Sequence, residues 1–320
     1  MIRPTEKNMR HPRHRAAIAV GLLLFALAAD ALVAPRSAVA ATGETGFAFL
    51  KLGVGARAMA LGGAYVALAD DPTAIYWNPA GLAGLAGTQV TAVHDSWIQD
   101  FREEFVAVTA KLGPGAIGFG YTGFYSSSEF ERRDDTGVLI GEFGFNDQAI
   151  SGAYGLRVAK GLEAGVTASY VREMIDQESA GTFSSNLGLR YALEDTGLMF
   201  GGAIQNLGGS AAFITEDFSL PLTYSLGAAY GREFQEGKGR AMVTAEYRQA
   251  SSENGHFNVG AEYVFKRTAA LRGGWKTGYD EQEWSLGLGI SHSWYSFDYA
   301  FVPFSSDLGT ANIFALSGRF

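Results

Sequence analysis

The chain has no cysteine in its 320 residues, which excludes a disulfide framework, a thiolate metal site and a cysteine nucleophile. Histidine is nearly as scarce: of five, two precede Arg15, leaving too few for a multi-histidine metal centre. Charged residues make up only 18% of the chain and the formal net charge is −8. The basic face that a nucleic-acid binder needs is therefore missing. Beyond residue 40 no uninterrupted apolar run reaches about 18 residues, which removes membrane-spanning helices. Glycine, at 42 residues, and aromatics, at 13%, are abundant instead.

The front of the chain reads as a secretory signal peptide. Arg3, Lys7, Arg10, Arg13 and Arg15 make a basic start, Ala16 to Ala29 an apolar run, and "SAVA" ends at Ala40 with small residues suited to cleavage. At about 14 residues the run is short of the roughly 20 that span a bilayer, so cleavage is expected rather than anchoring. Residues 1–40 hold six of the 25 Lys/Arg and two of the 33 Asp/Glu. That leaves 19 basic against 31 acidic residues, a mature charge of −12.

From Thr88 onward the hydrophobic pattern has period two. "TYSLGAAYG" sets Tyr224, Leu226, Ala228 and Tyr230 against Thr223, Ser225, Gly227 and Ala229. "EWSLGLGISHS" sets Trp284, Leu286, Leu288 and Ile290 against Ser285, Gly287, Gly289 and Ser291, and "YSFDYAFV" repeats the pattern. This is strand periodicity with one greasy and one small or polar face. About fourteen such runs occur, near 88–97, 104–112, 116–125, 148–158, 162–172, 183–192, 197–206, 221–231, 240–249, 256–265, 268–276, 283–292, 294–302 and 311–320. Most are about ten residues long, the length of a tilted membrane-crossing strand.

The links alternate. Those at Gly113–Gly115, Ala159–Gly161, Leu193–Thr196, Lys266–Arg267 and Ser293 are short; those at 98–103, 126–147, 173–182, 207–220, 250–255, 277–282 and 303–310 are longer and polar. Only Arg232–Gly239 is longer than its place predicts. Outer-membrane barrels alternate short periplasmic turns with long external loops in this way, and an even strand count then puts both mature chain ends in the periplasm. The small face suits a crowded lumen. The greasy face carries Tyr170, Tyr191, Tyr230, Tyr263, Phe265 and Trp275 near strand ends, as interfacial girdles require. The expected fold is all-β: a transmembrane antiparallel β-barrel of about 14 strands, spanning 88–320.

Residues 41–87 lack strand alternation. Asp70, Asp71 and Pro72 read as the start of a short helix, Thr73 to Tyr76, with Asp71 as cap. Asn78–Pro79 breaks it, because a residue before proline leaves the helical region. Phe47, Phe49, Leu50, Met59, Tyr65, Ile75, Tyr76 and Trp77 make the segment apolar enough to seek burial. It is expected to fold into the lumen as an N-terminal hatch containing short helices.

"FLKLGVGARAMALGGAYVALADDPTAIYWNPAGLA" resembles the start of the PorV/PorQ family of outer-membrane barrels, and its second half is similar to the hatch of FadL-type transporters of hydrophobic compounds. The likeness extends through "SWIQDFREEFVAV" (96–108), "LPLTYSLGAAY" (220–230), "LRGGW" (271–275) and "FDYAFVPFSSDLGTANIFALSGRF" (297–320). It implies a fourteen-stranded barrel with a luminal hatch. It also implies a hatch motif at Trp77, Asn78, Pro79, Ala80 and Gly81, with Gly62 and Gly63 as close-packing or hinge points and Asp70 and Asp71 fixing the turn. FadL-type likeness implies passage of a hydrophobic, fatty-acid-like ligand beside Trp77 by hatch displacement. PorV-type likeness implies an accessory barrel of type IX secretion that binds secreted proteins. The closing strand, ending at Phe320, resembles the signal read by the barrel-assembly machinery, and outer-membrane lipid is the remaining partner.

Inside such a barrel Arg157, Arg190, Glu246, Arg248, Glu262, Arg272 and Lys276 face the lumen, where they must pair with one another, with water or with the hatch. "HDS" at His94–Ser96 invites a lipid-hydrolase reading. However, no G-x-S-x-G surrounds Ser96 and the acid Asp95 lies on the other face, so these are read as polar residues at a strand end. The acids of loop 126–147 lack ordered calcium-ligand spacing, and Asp100 to Glu104 reads as a solvated loop. No cofactor and no enzymatic activity are expected.

Overall fold

The structure, a computed structural model, describes residues 45–213, 216–234, 238–251 and 253–320. The signal-peptide segment 1–40 and the first hatch residues, 41–44, lie outside the described residues. Fourteen strands close into an antiparallel barrel. They are β1 (Thr88–Ser96), β2 (Phe101–Leu112), β3 (Gly115–Ser126), β6 (Asn146–Ala159), β7 (Leu162–Ile175), β8 (Glu178–Leu193), β9 (Leu198–Gly208), β12 (Thr223–Phe234), β13 (Gly239–Ala250), β14 (His256–Phe265), β15 (Ala269–Thr277), β16 (Trp284–His292), β17 (Tyr295–Pro303) and β18 (Thr310–Arg319). Pairing of β1 with β18, from Gln89↔Arg319 to Ser96↔Asn312, shuts the barrel. Closure satisfies the strand backbones where lipid offers no hydrogen bonds.

Each period-two run became a strand, with its greasy face outward. Along β16 Trp284, Leu286, Leu288 and Ile290 are exposed while Ser285 is buried; β12 and β14 follow the same rule. A belt holding Phe119, Ile150, Leu189, Val243, Leu271 and Leu288, each about half exposed or more, is tolerable only against hydrocarbon, so the barrel spans a membrane. Tyr230, Tyr263, Phe265, Trp294 and Phe320 ring the short-turn end. The short turns are tight: Lys266 and Arg267 at φ 50° and 57°, and Ser293 at 55°, adopt the left-handed backbone of two-residue hairpins.

The long-loop end is more ordered than the sequence implied. Strands β6, β7 and β8 run 14, 14 and 16 residues, because the ladder continues past the apolar belt into polar residues such as Glu178 and Ser179. Two of the long loops form hairpins, β4 (Phe130–Arg133) with β5 (Leu139–Phe143) and β10 (Ser210–Phe213) with β11 (Glu216–Ser219). Phe101, Phe124, Phe130, Phe143 and Phe145 stack together to hold the first of these against the rim.

The hatch fills the lumen with α1 (Ala56–Ala60), α2 (Ala74–Trp77) and 3-10 turns at Ala48–Lys51 and Pro79–Gly84. Asp71 Oδ1 accepts from the Thr73 N–H at 2.8 Å, and α2 ends at Asn78, which is extended at φ −164°. The hatch crosses the full height of the barrel. Thr45 bridges Ser219 at the long-loop end, whereas Phe320 exchanges backbone hydrogen bonds with Thr88 at the short-turn end. Thr45, the first described residue, and Phe320 therefore lie at opposite rims; the mature N-terminal end itself lies outside the described residues. The apolar run Phe47–Leu50 packs with Ala149, Val171 and Leu220, and this carries the N-terminal end through the lumen.

Candidate functional site

Absent side chains make the seat of the hatch. Inward glycines on successive strands face hatch backbone so closely that a Cβ at Gly155 or Gly165 would collide with Pro79, at Gly188 with Asn78, and at Gly201 with Val66. Gly62, at φ 69°, lies with its missing Cβ 3.2 Å from the Trp275 backbone, and Gly63 follows at φ 75°. These two are close-packing points. Backbone-to-backbone docking then leaves the polar wall residues to satisfy hatch carbonyls. Thr244 donates to Ala64 O (2.9 Å), Thr167 to Ile75 O (2.9 Å) and Gln205 to Tyr76 O (2.6 Å). Glu246 Oε2 accepts from the N–H groups of both Tyr65 and Val66, each at 2.8 Å.

Asn78 is a latch. It is fully buried; its Nδ2 donates to Val66 O (2.7 Å) and Leu189 O (3.1 Å), and its Oδ1 accepts from Ala80 N–H (3.1 Å). One side chain thus joins two hatch segments to β8. Pro79 and Ala80 bring the backbone against Gly165. Gly81 lets it pass Ala69 O, where a Cβ would overlap.

Arg57, Asp70, Glu262, Arg272 and Asp298 form one network through hatch and wall. Arg57 meets Glu262 in a fork, Nε to Oε2 at 2.8 Å and Nη2 to Oε1 at 3.0 Å. Its Nη1 also bonds Asp70 and donates to Tyr65 Oη at 3.1 Å. Tyr65 donates to Asp71 Oδ2 at 2.5 Å. On the wall side Arg272 continues the chain to Glu262 (2.7 Å) and Asp298 (2.6 Å). Burial raises carboxyl pKa values, but Arg57 and Arg190 hold Asp70 below the ordinary carboxylate value. For Asp71 burial wins over Arg57, and its pKa is raised. Arg190 clamps a second corner, donating to Glu163 Oε2 (2.7 Å) and Leu68 O (2.5 Å).

On the long-loop side of the hatch the lumen opens into a narrow cleft. Phe49, Leu50, Ile75 and Tyr76 of the hatch form one wall; Phe105, Val171 and the polar Thr122, Ser151, Ser184 and Asn206 form the other. Pairing of β8 and β9 slips between Ser185 and Leu187, and the bulge turns Asn206, at φ 61°, toward Asn186 and Pro221. Beside the cavity Tyr76 Oη donates to Leu50 O (2.8 Å), and Arg248 lies over the Trp77 ring at 5.4 Å. Such a lining can bind a small, mostly apolar molecule.

Of the charges read as luminal, Glu246, Arg248, Glu262, Arg272 and Lys276 are buried inside the barrel, and Arg190 is partly buried there. Arg157 corrects its reading: it has the inward parity but sits at the short-turn rim, 60% exposed, 3.4 Å from Glu163. Trp77 is also corrected. Its indole N–H donates to Val54 O (2.8 Å) and its ring packs on Tyr65 and Tyr76, so it is hatch core, and Tyr76 lines the cavity instead. Sequence reasoning missed Arg57, Tyr65, Glu163 and Asp298; the last two carried an inward-parity signal. It put Asp95 on the inner face but missed its pairing with Glu103; these buried register partners have Asp95 Oδ1, Asp95 Oδ2 and Glu103 Oε1 without a hydrogen-bond partner among the described residues.

A closed fourteen-stranded barrel plugged by its own N-terminal segment places the chain in the architecture of hatch-plugged outer-membrane barrels. It is similar to the toluene transporter TbuX of Ralstonia pickettii, with a TM-score of 0.63 at 16% identity, covering 84% of this chain and 98% of that one. It is likewise similar to the toluene transporter TodX of Pseudomonas putida (0.59, 13%, 84% and 99%) and to the CymD monoaromatic hydrocarbon channel (0.60, 12%, 84% and 98%). At these identities the likeness is one of fold. The chain itself belongs to the uncharacterised protein family UPF0164, whose family model matches residues 26–212. No curated protein matches it.

Proposed function

We propose that this protein is an outer-membrane channel for hydrophobic small molecules, with its short turns toward the periplasm. The observation that carries the reading is the cavity at the hatch tip, where Phe49, Leu50, Ile75, Tyr76, Phe105 and Val171 offer an apolar surface facing the long-loop end. The fold shared with proteins described as toluene transporters and a monoaromatic hydrocarbon channel supports it. A ligand enters from the long loops and rests against Tyr76. It passes when the hatch residues below it give way. Arg57, Asn78 and Glu246 hold those residues seated until then, and no bond chemistry is involved.

Vesicles containing the purified protein should take up toluene or a medium-chain fatty acid faster than empty vesicles; equal rates refute the channel. Because the chain lacks cysteine, a single engineered disulfide isolates the hatch step. A Cβ at Gly227 would lie 2.7 Å from Val66 Cγ1, close to the spacing across a disulfide. Oxidised Val66→Cys/Gly227→Cys protein should stop uptake and recover it on reduction. Uptake that persists under oxidation discards hatch displacement while leaving the channel. The PorV-type alternative, an accessory that binds secreted proteins, requires co-purification with large secretion components in gentle extracts.

A further inference from the structure

The ring nitrogens of His94 bridge two residues on the outer face of the barrel, away from the hatch. Nδ1 lies 2.7 Å from Glu104 Oε1 and Nε2 lies 3.1 Å from Ser96 Oγ. A carboxylate only accepts, so Nδ1 carries the proton, and Nε2 of the neutral ring accepts from the serine hydroxyl. His94 and Ser96 are two apart on β1, and Glu104 is the direct register partner of His94 on β2. Strand parity turns all three outward. Tyr125 donates to Glu104 Oε1 at 3.2 Å and steadies the carboxylate. The group sits where β1 and β2 enter their long-loop connection, just beyond an outer surface of Val90, Val106 and Val108.

We propose that Ser96, His94 and Glu104 are a nucleophile, base and orienting acid that hydrolyse acyl esters of membrane lipids at the long-loop rim. A triad is identified by geometry and roles, whatever the order of its members along the chain. Asp95, next to His94 in the chain, faces the lumen; the neighbouring strand supplies Glu104 instead. Ser96 also has outward register partners on both sides, Arg102 on β2 and Asn312 on β18. Tyr299 donates to Asn312 Oδ1 at 2.7 Å and Nδ2 donates one hydrogen to Thr310 Oγ1 at 3.3 Å, so the second Nδ2 hydrogen is the donor that amide has left. Arg102 and Asn312 thus flank Ser96 across the sheet on the outer face, where donors to an oxyanion are needed.

In the first step Ser96 Oγ bonds to the ester carbonyl carbon, and its proton passes to His94 Nε2. The alkoxide leaving group departs with that proton as an alcohol. Water then attacks the acyl-serine, gives a proton to Nε2, and releases a carboxylic acid as Ser96 recovers its hydrogen. The imidazolium formed between these events is balanced by Glu104. An ester whose chains lie in the apolar belt and whose head lies among the long loops reaches Ser96 without leaving the membrane. The substrate is accordingly an acylated membrane lipid.

The full-length protein in mixed micelles is the test, with free fatty acid as the readout. One arm presents phosphatidylethanolamine with phosphatidylglycerol, the other lipopolysaccharide, and release in either arm names the lipid source. Ser96→Ala should lower that release by about 10³-fold or more, and Glu104→Gln by about 10²- to 10⁴-fold. A fluorophosphonate should label the wild type and leave Ser96→Ala unlabelled. Heat-modified gel migration checks that each variant barrel is folded, and toluene uptake by Ser96→Ala should match the wild type. Fatty-acid release no greater for wild type than for Ser96→Ala in both arms overturns the proposal, whatever the labelling shows.

Discussion

Arg57 joins two hatch segments to the barrel wall, and Arg57→Gln tests its part in seating the hatch. The change removes the fork to Glu262 together with the contacts to Asp70 and Tyr65. A fully buried ion pair that loses one partner costs about 3–5 kcal/mol, and an exposed pair about 0–1. Here Glu262, 2% exposed, keeps Arg272, and Asp70, 37% exposed, can reach water. The loss should therefore fall between the limits, at about 2–3 kcal/mol. It falls on the hatch, since no strand ladder bond involves Arg57. At tenfold per 1.4 kcal/mol, the unseated population should rise roughly 30- to 150-fold. Hydrogen exchange of residues 56–81 measures that rise directly, with the strands as internal reference. Equal acceleration in hatch and strands, or none in either, would refute the assignment of Arg57 as the hatch anchor. The double variant with Glu262→Gln isolates the pairwise coupling.

Gly165→Ala places a methyl on the Pro79 and Ala80 backbone and should cost about 1–3 kcal/mol or more, read as protease cleavage within 70–87 while the barrel remains intact. Leu288→Arg, in the middle of β16, should lower barrel stability in lipid by about 2–4 kcal/mol, measured by urea unfolding from vesicles; a neutral result would remove the outer face from hydrocarbon. The acids of the hatch give opposite pH slopes. Asp71 has a folded pKa above its ordinary 3.8, so the seated hatch binds extra protons there and loses stability as pH rises from about 4 through the raised value. Asp70, depressed from 3.8, stabilises above that value and loses its contribution as pH falls through the folded one. Asp71→Asn should consequently flatten hatch exchange above pH 4 and leave the loss below it, and an unchanged slope above pH 4 contradicts the raised pKa of Asp71.

Much of the barrel is legible because its two faces meet different media. Lipid outside and a crowded lumen inside force opposite residue types onto alternate positions, so "EWSLGLGISHS" announces strand and orientation together. The alternation of short and long links follows from antiparallel order and survives without any tertiary knowledge. Hatch chemistry is local in part: Asn78 before Pro79 ends α2 wherever the segment lies.

Pairings across the barrel were not legible. Arg57 and Glu262 lie 205 residues apart, and no local pattern selects one inward acid over another. The course of the hatch through the lumen, the placing of Tyr76 rather than Trp77 at the cavity, and the exposure of Arg157 all depend on where the chain enters and leaves the barrel. Glu104 shows the same limit at shorter range, since only the register of β1 against β2 brings it to His94. The sequence by itself determined a closed, lipid-facing barrel with an apolar plug, because periodicity answers to solvent. Tertiary structure alone decided which charges meet, because strand register and hatch docking set those distances, and neither is written in the spacing of any one segment.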